Sequence, residues 1–435
     1  MPVRCGYARV QASGPMKVAI IGAGWAGCAA AVEATRLGHQ VTLFDASRTA
    51  GGRARRVMAT VAGEQLALDN GQHILIGAYS ETLRLMRDVG VDEQAALLRL
   101  PLTLQFPDGS GLELPRWPAP LDAFAGILGA RGWSWAARLS LLKVAIGWQS
   151  AGFKCRPEQS VLDLCQGLSA RAMTALIEPL CVSALNTPPE RASGQVFLRV
   201  MHDSLFALSG GSNLLLPRVD LSALLPDAAL AWLAAHGGAA RLGVRVQTIM
   251  PTAPGWTLDG QVFDRIVLAC PPSEAARLVE GSGVAAEAWL KLARGLQYEA
   301  LSTVYLHAPG AGLHRPMLAL VSSAEEPAQF AFDRARLGGP QGLLAFVISA
   351  SISDSATLTR QAQAQAARQL GLTALQPVLT IVEKRATFAC TPGLQRPGAR
   401  IARGLLACGD YIAGPYPATL EGAVRSGLAA VRCLD

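Results

Sequence analysis

Along the chain, short apolar runs alternate with longer stretches of helical composition, the pattern of an α/β fold. The first run, Lys17–Ile21, reads KVAII and predicts a buried parallel strand. It leads into Gly22-Ala23-Gly24-Trp25-Ala26-Gly27 and an Ala-rich stretch reaching Leu37, which predicts a helix stopped by Gly38. A second run, Val41–Phe44, ends at Asp45. In the middle of the chain, Val244–Ile249 and Arg265–Cys270 read as further strand segments. Near the end, Leu405–Cys408 predicts a strand closing in Gly409-Asp410, with a helix beginning near Thr419. No apolar run reaches the about 20 residues that a membrane span needs. Asp227 interrupts the Leu-rich stretch at Leu225, and Arg138 and Lys143 interrupt the one at Leu141.

Composition narrows the class. With 435 residues, 51% hydrophobic and 16% charged, the chain is long enough for two or three domains and too apolar for intrinsic disorder. The net charge of +7 comes from scattered arginines with only five lysines, so nucleic acid is not an expected partner. The nine cysteines show no metal-ligand spacing, and several sit in apolar stretches, which reads as a reducing cytoplasm with no metal site. Residues 1–15 carry no apolar core; they read as a disordered tail, or as sequence ahead of a true start at Met16.

Each glycine of the first motif has a physical task. Gly22 allows the tight turn, Gly24 lets the backbone approach a pyrophosphate, and Gly27 lets helix and strand pack closely. Trp25 and Ala26 open the helix whose free N–H groups and positive dipole end would meet the phosphates. Asp45 can accept hydrogen bonds from ribose hydroxyls. The strand before the motif, the helix after it and the acid beyond make this a dinucleotide site.

Directly after Asp45, the string Gly51-Gly52-Arg53 resembles the flavin-binding amine oxidase and phytoene (carotenoid) desaturase superfamily. The segment Gly409-Asp410 followed by Glu421-Gly422-Ala423 resembles the same superfamily's C-terminal motif. The resemblance implies FAD. Gly52 and Arg53 would lie near the pyrophosphate, and Asp410 on ribityl or pyrophosphate oxygens. Glu421, Gly422 and Ala423 would open the helix that faces the flavin, and Val246 would meet the adenine through its backbone. It also implies a Rossmann-type FAD-binding domain assembled from residues 16–80, 205–275 and 396–435. Residues 81–204 and 276–395 would form an inserted α+β substrate-binding domain.

Two departures speak against an amine substrate. Thr419 stands where amine oxidases of the superfamily commonly carry an aromatic cage residue, and only Lys291 and Lys384 lie where their water-bound lysine could be. Two further strings, Leu68–Tyr79 and Glu178–Pro188, look like those of the hydroxysqualene dehydroxylases. That resemblance implies reductive loss of an allylic hydroxyl to give squalene, with hydride from reduced flavin N5, in squalene and hopanoid synthesis beside two prenyltransferase-like enzymes. His73, expected beside the flavin and able to titrate near neutral pH, is the candidate proton donor, with Gln72 positioning. An oxidative carotenoid desaturase is the alternative, and a non-catalytic prenyl-lipid carrier ranks below it. The tryptophan-rich stretch Arg116–Lys154, interleaved with cations, suits a lipid interface, so a cytoplasmic protein at the inner membrane surface is expected.

Overall fold

The computed structural model describes residues 14–351 and 353–434, so most of the expected N-terminal tail lies outside the described residues. The opening unit forms as its pattern predicts: β1 (Lys17–Ile21), α1 (Trp25–Arg36) and β2 (Gln40–Asp45). β1 is the centre of a six-stranded sheet. On one side lie β2 and the strand Ala239–Leu242; on the other lie Arg265–Leu268, Leu405–Ala407 and Arg400–Ala402. All pairings are parallel except the last. Three distant pieces of sequence thus build one sheet, the discontinuous α/β architecture that the motifs imply.

One strand departs from expectation. The chain pairs at Ala239–Leu242, and the segment 244–248 that holds Val246 is not part of a strand. Gly243, at φ +75°, turns the chain, and Gly243 and Val244 donate their N–H groups to the carbonyls of Ser47, just past β2, and Asp45, its last residue.

α1 is buried along most of its length because small residues line it. The C-terminal helix Leu420–Val431 lies across it so closely that a Cβ on Gly427 would meet the Ala26 carbonyl at 2.2 Å. α2 (Ser80–Asp88) packs on that same helix, and the strand Leu97–Leu100 pairs with Leu214–Pro217. Residues 81–100, which the sequence assigns to the substrate domain, therefore pack with the dinucleotide unit.

The other large layer is a five-stranded antiparallel sheet ordered Met317–Ala319, Phe330–Asp333, Leu343–Ser349, Tyr298–His307 and Gln376–Phe388. Strand alternation gives it two apolar faces. Ala331, Leu344, Phe346 and Ile348 pack with the helix Ser355–Leu370. Phe330, Phe332, Val347 and Ser349 face a cavity instead. Across that cavity stands the helix Glu178–Leu185, part of a helical layer that includes Leu121–Leu128, Trp135–Ser150 and Gly194–His202. Among the described residues no helix is long and apolar enough to cross a membrane, no cluster of potential metal ligands occurs, and the cysteines are free thiols.

Candidate active site

A cavity of about 810 Å³ runs between the two sheets. Its polar end is made of backbone. Gly24 and Gly51 meet in a parallel bridge, so the glycine loop and the Gly51-Gly52 turn form one wall. A Cβ on Gly24 would find no atom nearer than the Gly52 Cα at 3.9 Å, leaving a cradle without side chains. Above it opens the N-terminus of α1, which has no side-chain cap and no acid in its first turn. Uncapped N–H groups at a glycine-lined opening fit a diphosphate. The Asp45 carboxylate accepts from the N–H groups of Ala23 and Ser47, both at 2.6 Å, and borders the cavity beside Val244–Val246.

Of the dinucleotide candidates, Gly22, Gly24, Trp25, Ala26, Asp45, Gly52, Arg53, Val246, Asp410 and Ala423 line this cavity. Gly27 does not; it permits packing, since a Cβ there would fall 1.8 Å from the Gly22 carbonyl oxygen. Gly422 likewise packs, against the Tyr416 carbonyl, and its N–H caps onto Thr419 Oγ1 at 2.9 Å. Glu421 corrects the expectation most clearly. Its fully buried carboxylate turns away from the cavity, accepts from the N–H groups of Glu81 and Thr82 and the Thr82 hydroxyl, and pairs with Arg425 at 2.6 Å. It caps α2 across the helix interface.

Arg53 reaches from the glycine turn across the cavity wall, donating to the Ala386 carbonyl and to Asp410, each at 2.6 Å. The Asn70 amide holds this turn in place by donating to the Arg53 carbonyl and accepting from Arg55 N–H. The next two arginines along the chain also have partners: Arg55 donates to the Gly52 carbonyl, and Arg56 pairs with Asp220 and Asp227.

The same cavity is lined by apolar Val182, Ala184, Leu185, Leu301, Phe330, Phe332 and Val347, with Ser183, Asn186 and Ser349 among them. Gln72 and His73 also line it. Gln72 is fixed from behind: its amide nitrogen donates to the Tyr305 hydroxyl at 2.8 Å, and its amide oxygen accepts from Arg334 at 2.9 Å. Tyr305 in turn donates to the Asp69 carbonyl, and buried Arg334 lies 3.9 Å from the Asp69 carboxylate. Burial pushes that carboxyl up to about 6. Sequence alone did not mark Tyr305 or Arg334, because nothing local distinguishes them.

His73 differs from expectation. Burial, reinforced by the positive charge of Arg53, lowers its pKa to about 4, so the imidazole is neutral at pH 7 instead of poised to titrate there. Lys291 and Lys384 do not line the cavity, so the lysine of an amine oxidase has no counterpart in its wall.

The model of flavin containing amine oxidoreductases matches residues 25–435. The chain belongs to this family. It is a flavin-dependent oxidoreductase, and the backbone cradle fits the diphosphate of the family's dinucleotide. A hydroxysqualene dehydroxylase from Rhodopseudomonas palustris is 28% identical over 94% of this chain and 96% of its own length. The Sinorhizobium fredii hydroxysqualene dehydroxylase is 28% identical over 95% and 97%. A zeta-carotene desaturase from Synechocystis is 39% identical but matches only 19% of this chain. In fold, cyclohexylamine oxidase from Brevibacterium oxydans superposes with a TM-score of 0.67 at 16% identity, covering 97% of this chain and 99% of that one.

Proposed function

We propose that the protein is a FAD-dependent hydroxysqualene dehydroxylase. The supporting observation is the cavity itself: one space lined by the glycine cradle, by Gln72 and His73 and by apolar Val182, Leu301, Phe330, Phe332 and Val347, on a chain similar over nearly its whole length to two such enzymes. In the reaction the allylic C–O bond breaks, the hydroxyl takes up a proton and leaves as water, and a hydride forms the new C–H bond. Bound reduced FAD supplies that hydride.

The chain's residues supply the rest. Gly24, Gly52 and the first turn of α1 would hold the diphosphate, Asp45 the ribose and the Val244–Val246 segment the adenine. Arg53 and Asp410 would brace the middle of the cofactor. The chamber walls hold the hydrocarbon and keep water from the electron-poor carbon left when the hydroxyl departs. Gln72, fixed by Tyr305 and Arg334, would orient the hydroxyl. His73 is the group we assign to deliver the proton, acting from the small imidazolium fraction that its low pKa leaves. The substrate would come from prenyltransferase-like enzymes at the inner face of the cytoplasmic membrane.

The deciding experiment is anaerobic. FAD-loaded, prereduced protein is mixed with hydroxysqualene in detergent and extracted for squalene. We expect stoichiometric squalene that vanishes when the FAD is left oxidised. No squalene from a yellow, reducible protein would overturn the reading and favour an oxidative desaturase.

A further inference from the structure

The Leu121–Leu128 and Trp135–Ser150 helices leave an apolar face uncovered. On the second helix Trp135, Leu139 and Ile146 are 65%, 58% and 52% exposed, while Ala137, Leu141 and Ala145 are buried on its opposite side. Positions 135, 139, 143 and 146 share one helical face, and the third of them is exposed Lys143. Trp117, Leu121 and Leu128 add to the surface from the adjoining segment. Scattered exposed apolar side chains need no explanation, but this many in one stretch mark a contact surface.

Two observations indicate what covers it. First, the charge is one-sided. From residue 114 to 157 the only acid is buried Asp122, whereas Arg116, Arg131, Lys143, Lys154 and Arg156 are exposed, and the exposed acids Glu113 and Glu158 bound the stretch. Second, the helix pair is braced in place: Arg138 donates to the carbonyls of Leu128 and Ala130, both at 2.7 Å, and lies over the Trp135 ring at 4.8 Å.

We propose that this face docks on an anionic phospholipid bilayer. Tryptophan and leucine would enter the acyl boundary while Lys143 extends to the phosphates, the arrangement of an interfacial helix. An excess of exposed cations beside an apolar face complements an anionic lipid surface. The docking does not rest on the proposed reaction.

The test uses flavin-loaded full-length protein without substrate, sedimented with vesicles of phosphatidylcholine alone or of an equimolar mixture with phosphatidylglycerol. We expect salt-sensitive binding to the mixed vesicles. Arg131→Gln with Lys143→Gln should weaken it by roughly tenfold, and Trp135→Asp with Leu139→Asp should abolish it, both with flavin retained. Protein that stays in the supernatant overturns the proposal, as do variants that bind like the wild type. A dimer that the aspartate variants split, with no vesicle binding, would assign the face to a second copy and overturn it too. Because binding is read without turnover, failed squalene production leaves this result standing.

Discussion

The Arg53 guanidinium and the Asp410 carboxylate, 357 positions apart in the chain, meet at 2.6 Å on the wall of the main cavity. The pair ties the turn after β2 to the loop before the last helix, so it joins two distant segments of the cavity wall. Asp410→Asn keeps the shape and removes the charge. We expect FAD affinity to fall about tenfold, a loss of about 1.4 kcal/mol, read by flavin fluorescence titration. Because the guanidinium is partly exposed, the thermal stability of the flavin-free protein should change little.

Gly24 and Gly27 should respond oppositely to one added methyl. A Cβ on Gly24 meets only the Gly52 Cα at 3.9 Å, an ordinary contact, so Gly24→Ala should fold with an unchanged melting temperature and lose FAD. A Cβ on Gly27 strikes the Gly22 carbonyl and pushes α1 off β1, so Gly27→Ala should lose at least about 2 kcal/mol before any ligand is considered. Paired melting and flavin-binding curves check both, and similar melting losses for the two variants would refute the distinction.

Glu421 stands in the motif expected to face the flavin, yet its four partners belong to α2 and Arg425. Glu421→Ala should therefore cost roughly 3 kcal/mol by stranding buried donors, with flavin affinity unchanged in the protein that remains folded. Chemical denaturation and flavin titration on the same sample separate the two effects.

The His73 imidazole is uncharged at pH 7 because its pKa is lowered to about 4 from 6.5. Between those values the unfolded chain binds the proton that the folded one refuses, so stability contributed by this group falls as pH drops through that window. His73→Gln should remove that part of the slope in denaturation measured across it. Turnover should move the other way. As the imidazolium fraction grows from pH 7 towards 5, the rate should rise about tenfold per pH unit, and His73→Gln should level the profile.

The parts legible from sequence are those whose determinants lie close together. β1, the glycine loop, α1 and Asp45 fall within 29 consecutive positions, and the observed strand, helix and cavity contacts match their pattern. The C-terminal strand and helix were legible for the same reason. Glu421 was not, since its orientation depends on α2, 340 positions away. Tyr305 and Arg334 escaped because they act on Gln72 across 233 and 262 positions, from strand ends with no local pattern to mark them. His73 was found, but its charge state was not, since burial and the Arg53 field arise only in the fold.

The five-stranded sheet divides two demands between alternate residues of the same strands. Phe330 and Phe332 shape the chamber, while Ala331 between them belongs to the buried cluster that packs the sheet on its supporting helix. The cavity wall can thus be retuned by substitutions two apart, with the intervening side chains keeping the sheet on its helix. A lineage drifting between long-chain substrates would then leave a comb-like record here, with every second residue variable and its neighbours held.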